Sequence, residues 1–386
     1  HENALIILPK GWVKMAKRLL VLGIGPSQVD LIEMARDMGM RVYGCARDGS
    51  GPGRALVDEF RPIDIADVEA VRRYAEAKQV DFIYSMGLER AVPTIALVSG
   101  QLGLPSFCSV ASLSKFETKA RWREVLGNME GNVRFKKGSS VEDFADWDIY
   151  PAVLKPVDSS GQRGVHRVTC FGDVERYFSA AIGFSRKKEL IIEEFIDGPE
   201  VSVNTFMYNG CLAFSVVTDR ISYSEYPGGI IKEHRLPSLH TSISTEEKIR
   251  ALVTRVNELM GFGCGHVYFQ LKISNDTPKV VEFTPRFDAC HMWRLIYEST
   301  GLDLRRVALE VLSTGKSEAL ERRDFGLKEG HYTLRFISDK PGVVFDERNY
   351  DLPKDPLYVE WYYHGGDTVK SVTGYVEKVG YVLFRE

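Results

Sequence analysis

Pro151-Ala-Val-Leu-Lys155-Pro156-Val-Asp-Ser-Ser160-Gly161-Gln-Arg-Gly164-Val165, followed further along by Leu190-Ile-Ile-Glu193-Glu194-Phe-Ile196-Asp-Gly198-Pro-Glu200-Val, decides the fold of this chain. Each stretch begins as an apolar strand. The first ends in lysine, which sets one ammonium at the rim of a buried surface. The turn beyond it is rich in Ser and Gly, so its backbone N–H groups can close on a polyanion without interference from Cβ atoms. The second strand turns acidic at its end, with Gly198 and Glu200 just past it. Taken alone, the first stretch also reads as a surface hairpin with a flexible tip. The pattern G-x-x-x-x-G-K-[ST] is absent, which excludes a Walker P-loop.

Upstream, from Lys17 to about Val110, strands and helices alternate. Arg18–Gly23, Arg41–Cys45 and Val80–Tyr84 read as strands, Val29–Met38 and Val68–Lys78 as helices, and this order predicts a parallel sheet with helices on both faces. The turn Gly23-Ile-Gly25-Pro-Ser-Gln28 lacks the third glycine of a dinucleotide fingerprint. A helix is expected from Ala111 to Gly127, with Lys119 and Arg123 one turn apart and Lys115 as a competing register. Downstream, the Tyr223–Gly229 loop sets two aromatics on a Gly-Gly hinge, and Tyr332–Phe336, Tyr358–Tyr362 and Gly380–Phe384 return to strands.

Length allows two or three lobes around a substantial core. The formal charge is −3 with acids and bases evenly mixed, which gives no support for nucleic-acid binding. Six scattered cysteines without a C-x-x-C pair, and no export signal, favour reduced thiols in a cytoplasm. No apolar run approaches the roughly 20 residues of a membrane-spanning helix. Residues 1–16 read as an N-terminal tail or appended segment.

One further pair of strands concerns metal. Val267-Tyr-Phe-Gln270-Leu-Lys-Ile, a turn at Ser274–Pro278, and Lys279-Val-Val-Glu282-Phe-Thr284-Pro285-Arg286-Phe-Asp288 form a hairpin carrying oxygen donors. With the lysine strand and acidic strand before it, in this order, the chain resembles the ATP-grasp superfamily. The likeness runs from Lys17 to the end. It is nearest to the ADP-forming carboxylate–amine ligase branch, with biotin carboxylase-like and L-amino-acid ligases.

The resemblance implies an α/β protein with the ATP-grasp fold. Residues 17–110 would form an N-terminal parallel-sheet domain and 111–315 the ATP-grasp domain, its small nucleotide-clamping lobe at about 133–200. Residues 316–386 would be a β-rich segment packing on the larger α+β lobe. It implies ATP and Mg²⁺ as cofactors, with Mn²⁺ as the alternative ion. Lys119, Lys155, Ser160, Gly161 and Gly164 would meet the phosphates. A backbone carbonyl of Glu193 or Glu194 and the N–H of Ile196 would meet adenine, and Glu200 the ribose.

Metal ligands would be Glu282, Gln270 and Thr284. Gln270 and Thr284 depart from the family's acid and asparagine, so only Glu282 is a full match. Asp288 is a candidate to restore the missing carboxylate. Magnesium takes hard oxygens, one or two carboxylates plus phosphates, which gives the pattern its reason. Arg286, Arg235 and His291 are the candidate catalytic residues. Arg286 would meet an acyl phosphate, since guanidinium matches phosphate oxygens bidentately. Arg235 or Arg294 would take a substrate carboxylate, Asp288 an amine, and His291 a proton.

The reaction implied is phosphorylation of a small carboxylic acid by ATP, then displacement of phosphate by an amine to give an amide or peptide bond. Its partners are small molecules, with neither nucleic acid nor membrane, and a homodimer is the implied assembly. The alternatives are a bicarbonate-activating carboxylase and a nucleotide-binding regulatory protein with a decayed metal site.

Overall fold

Short apolar runs closed by glycine, proline or a capping side chain set the elements of this chain. A computed structural model describes residues 16–386 apart from Ser160, Pro227, Gly228 and Asp324. All but Ala16 of the expected tail, and Ser160 of the phosphate loop, therefore lie outside the described residues.

Strands β1 (Arg18–Leu22), β2 (Arg41–Ala46), β3 (Glu59–Pro62) and β4 (Phe82–Tyr84) form a parallel sheet in the order β3-β2-β1-β4. Leu20 and Leu22 of β1 pack toward helices α2 (Val68–Lys78) and α3 (Val92–Leu102). Leu19 and Val21 point the other way, toward α1 (Pro26–Asp37) and the large lobe. Both faces are covered, as an all-parallel sheet requires. In the Gly-Ile-Gly turn, Gln28 fills the space, accepting the Gly25 N–H at 2.9 Å and donating to the Met86 carbonyl at 2.6 Å.

The single helix expected at 111–127 is two: α4 (Val110–Phe116) and α5 (Lys119–Leu126). Thr118 breaks them. Its backbone is extended and its side chain accepts the Arg121 N–H, so it starts a new helix rather than continuing one. Lys119 thereby becomes the first residue of α5, its N–H held by the Val157 carbonyl at 2.9 Å.

The small lobe is an antiparallel sheet, β5 (Phe135–Gly138), β6 (Ala152–Pro156), β7 (His166–Val168) and β8 (Leu190–Glu194), ordered β5-β8-β6-β7. Helix α6 (Phe171–Gly183) covers the face bearing Ala152, Leu154 and Ile192. Strand alternation then directs Val153 and Lys155 to the opposite face.

The large lobe centres on an eight-stranded antiparallel sheet. It comprises β9 (Glu200–Tyr208), β10 (Cys211–Ser222), β11 (Ile231–Leu236), β12 (Gly265–Ser274), β13 (Thr277–Thr284), β14 (Tyr332–Asp339), β15 (Tyr358–Trp361) and β16 (Glu377–Arg385). Their order is β13-β12-β9-β10-β11-β14-β16-β15. The 316–386 segment thus extends this sheet by pairing β14 to β11, rather than packing on it as a separate layer.

Helix α7 (Ile243–Met260) covers one face through Val201, Val203, Val217, Phe269 and Leu271. Helices α8 (Met292–Thr300), α9 (Leu304–Thr314) and α10 (Glu318–Arg322) lie with the N-terminal domain on the other side, meeting Phe206, Leu236, Leu334 and Phe336. Between that apolar end and the small lobe, the same face turns polar.

Candidate active site

A cavity of about 320 Å³ lies where the small lobe faces the large sheet. Val153, Val165, Phe195, Ile196 and Val281 give it apolar walls, and Lys119, Lys155, Glu193, Glu200, Gln270, Lys272 and Glu282 its polar ones. Apolar walls with a few convergent polar groups are what an aromatic base with an anionic tail needs.

Three charged side chains organise the small-lobe wall. Glu193 is buried at the end of β8. Arg123, fully buried on α5, donates through Nε to its Oε1 at 3.0 Å and through Nη2 to its Oε2 at 3.3 Å. Lys155 Nζ stands 2.7 Å from the same Oε2. Burial opposes charge on Glu193, but Arg123 and then Lys155 outweigh it and hold the carboxyl at about 2. The Lys155 ammonium is pushed down by burial and by the neighbouring Arg123 and Lys119, with Glu193 opposing. Glu193 thus orients Lys155 with its side chain, a role the sequence reading did not assign it.

Lys119 bridges the lobes. Its Nζ donates to the Ser159 carbonyl at 2.7 Å in the phosphate loop and pairs with Glu282 Oε1 at 3.3 Å across the cavity. Gly161 lines the cavity, whereas Gly164 packs behind the loop near Pro156 and Ala181. Glu194 and Ile196 line it too; the Ile196 carbonyl is taken by Lys272 Nζ at 3.1 Å. Glu200 also lines it, with Oε2 accepting from Arg220 at 2.5 Å and from Gln270 Nε2 at 3.0 Å.

The hairpin residues differ in their fit to a divalent cation. Gln270 and Glu282 are direct cross-strand partners, and both line the cavity. The Glu282 side chain keeps 38% of its surface exposed. Burial works against its charge, yet Lys119, Lys155 and Arg286 hold its carboxyl below the usual range. Gln270 spends its amide N–H on Glu200, which leaves its oxygen as a neutral donor. One carboxylate and one amide oxygen fit magnesium, whose remaining ligands come from phosphates and water. Thr284, two residues along, is buried with an unpartnered hydroxyl and lies beyond the cavity lining. Asp288 does not join Glu282. Its carboxylate belongs to a group with His234 and Cys290, deeper under the sheet.

Of the candidate catalytic residues, Arg286 follows the hairpin and pairs with Glu89 of the N-terminal domain at 3.6 Å, its Nε unpartnered. Strand alternation turns Arg235 away from the cavity, paired with Glu233, while its neighbour His234 turns inward. His291 also lies outside the cavity lining. Its Nε2 meets Tyr362 Oη at 2.8 Å, its ring stacks on Tyr381 with centroids 4.3 Å apart, and Nδ1 lies 3.7 Å from Asp30. It ties α8 to the N-terminal domain. Arg294 is packed at 3.5 Å over the Tyr358 ring and donates to Tyr381 Oη at 3.2 Å.

Sequence reading singled out Arg123 without giving it a role, and it missed Arg220, Phe195 and Lys272. Arg123 had a signal, since it follows Lys119 by one helical turn. Arg220 had none, because a lone arginine in a strand gives no clue to what it meets across the sheet.

Residues 149–292 match the ATP-grasp domain family. The carbamoyl phosphate synthase large chain of Thermoanaerobacter pseudethanolicus is 24% identical over 288 residues, which are 70% of this chain and 25% of that protein. Carnosine synthase 1 of Mus musculus is 25% identical over 343 residues, 79% of this chain and 40% of that protein. The chain therefore spans less than half the length of these relatives. The crystal structure of an L-amino acid ligase from Bacillus licheniformis superposes with a TM-score of 0.80 at 18% identity, covering 96% of this chain and 93% of that one. Residues 149–292 thus match the ATP-grasp domain family, and the chain as a whole shares the fold of that L-amino acid ligase structure.

Proposed function

We propose that this protein is an ADP-forming ligase, which phosphorylates a small carboxylic acid with ATP and joins it to an amine. One observation carries the reading: Lys119, Lys155, Glu200, Gln270 and Glu282 converge from both lobes on a single cavity with apolar walls. Adenine would lie between Val153, Val165 and Phe195, with the polyphosphate toward Lys155, Lys119, Ser159 and Gly161. Glu282 and Gln270 would hold magnesium, or manganese, which supplies charge neutralisation at the transferred phosphoryl group.

In the first step a carboxylate oxygen attacks the γ-phosphorus, the bond to the β-phosphate oxygen breaks, and ADP leaves. The amine nitrogen then attacks the acyl carbon, phosphate departs, and the amine loses a proton to solvent. Lys119, Lys155 and Arg286 offset negative charge as it shifts, and lobe closure keeps water from the mixed anhydride. A homodimer in the cytoplasm belongs to the same proposal. Among the described residues no helix is long and apolar enough to cross a membrane.

The test is ADP release with Mg·ATP against pooled carboxylic acids, with and without pooled amines, beside a Glu282→Ala control. Release that requires both pools and disappears in the control supports the ligase. Bicarbonate-dependent release without an amine would assign a carboxylase. Nucleotide binding with no release in any pool would assign a regulatory protein.

A further inference from the structure

The loop between β13 and α8 crosses a polar part of the large sheet. Arg220 of β10 lies opposite His234 of β11, and Asn204 of β9 shares their face. The loop brings Asp288 and Cys290 to His234. Each of the three places one ligand atom within 4.8 Å of the other two, and all three are more than nine-tenths buried. Among the described residues this is the only such group of His, Cys, Asp or Glu.

Two members are each held by one atom and have another to spare. Asp288 Oδ1 accepts the Cys290 N–H at 3.1 Å, while Oδ2 has no partner. His234 Nδ1 lies 3.4 Å from Thr218 Oγ1, and that hydroxyl donates to the Ser202 carbonyl at 3.4 Å. A hydroxyl that donates there accepts from the ring, so Nδ1 carries the imidazole proton. Nε2 is then a bare lone pair, fully buried and unpartnered. Two acceptors and a sulfur therefore converge, and a cation satisfies all of them at once.

We propose that His234, Asp288 and Cys290 bind a zinc ion through Nε2, Oδ2 and Sγ, at a site separate from the magnesium of the nucleotide cavity. An ion needs no chamber here. A point central to atoms so spaced is at most about 2.8 Å from each, and zinc bonds run about 2.0–2.3 Å, so small side-chain rotations close the gap. Nitrogen, oxygen and sulfur together suit zinc, whereas magnesium takes oxygen. The hydrogen bonds from His234 to Thr218 and from the Cys290 N–H to Asp288 are of the kind that orient ligands around a metal.

Charge is compatible with this assignment. Burial pushes the Cys290 thiol up to about 12, and a bound ion displaces its proton outright. Arg220 and Lys378 stand near the sulfur, but Arg220 is already paired with Glu200. Zinc with one thiolate and one carboxylate sums to zero, which a neighbouring ammonium tolerates. Ligation ties to β11 the loop that also carries Arg286, two residues before Asp288. A bridging water is the competing occupant, since it can donate to Nε2 and Oδ2 together.

The experiment uses the full chain without nucleotide, stripped with a chelator and then given zinc, cobalt(II) or magnesium alone. After dialysis one equivalent of zinc is expected to remain, and none of magnesium. Cobalt(II) should give a thiolate-to-metal charge-transfer band that zinc displaces. Cys290→Ser is expected to abolish the band, with circular dichroism reporting that the variant is folded. Thr218→Val keeps all three ligands and should weaken zinc by about 10- to 100-fold. Cys170→Ser, at an exposed thiol, and Glu282→Ala, at the nucleotide cavity, should leave the band unchanged.

No retained zinc and no cobalt band overturn the inference and leave the trio to water. A band that survives Cys290→Ser, or that disappears in Cys170→Ser, overturns it by placing the ion on another thiol. Loss of the band in Glu282→Ala overturns the separation of the two sites. Unchanged zinc affinity in Thr218→Val overturns ligation through Nε2. None of these outcomes bears on the ligase reading, which magnesium-dependent ADP release tests by itself.

Discussion

Glu193 shows how one side chain can tune another that would touch ligand. Its carboxylate satisfies Arg123 and Lys155 at once, so its removal leaves two buried cations facing each other. Glu193→Gln is expected to destabilise the fold by about 3–5 kcal/mol in urea unfolding, the range for breaking a buried ion pair. The pH dependence has a definite sign. Its folded carboxyl sits at about 2 against an ordinary 4.5, so its contribution is full above about 4.5 and disappears as pH falls toward 2. Unfolding curves of the wild type and Glu193→Gln should therefore converge across that window. Lys155→Ala leaves the Arg123–Glu193 pair intact. It should weaken Mg·ATP binding by about 10- to 100-fold, the value of a hydrogen bond to a charged group, as read by calorimetry.

The β12–β13 hairpin is the element on which the proposed chemistry would turn. Gln270 stands opposite Glu282 with only one formal negative charge between them. Gln270→Glu adds a second carboxylate to a site that takes hard oxygens, and should lower the half-saturating Mg²⁺ concentration several-fold in the ADP-release assay. This hairpin, the lysine strand and the acidic strand were legible because their residue types follow one another along the chain. Glu282, Gln270, Lys155 and Lys119 all line one cavity. The direction of Arg235 was not legible because adjacent strand residues look to opposite faces, and only the register fixes which face is inward. The setting of His291 was not legible because its partners, Asp30 and Tyr362, are distant in sequence. The polar face of Asn204, Arg220 and His234 was invisible for the same reason, since it is assembled across strands.

For the whole molecule, the nucleotide cavity is walled by two lobes whose sheets are separate, with Lys119 crossing between them. A ligand that touches both walls binds only the folded, apposed state. Mg·ATP at 100 times its Kd should stabilise the protein by about 2.7 kcal/mol, seen as a rise in the thermal midpoint that Lys119→Ala diminishes.

The Lys119–Glu282 contact also sets an order of arrival. While the ammonium rests on Glu282, a bare divalent ion meets a carboxylate that is already neutralised. A polyphosphate drawing Lys119 toward itself releases that carboxylate at the moment the ion comes with it. On the proposed function, metal and nucleotide are expected to enter as one body, and titration with free magnesium alone should register almost nothing.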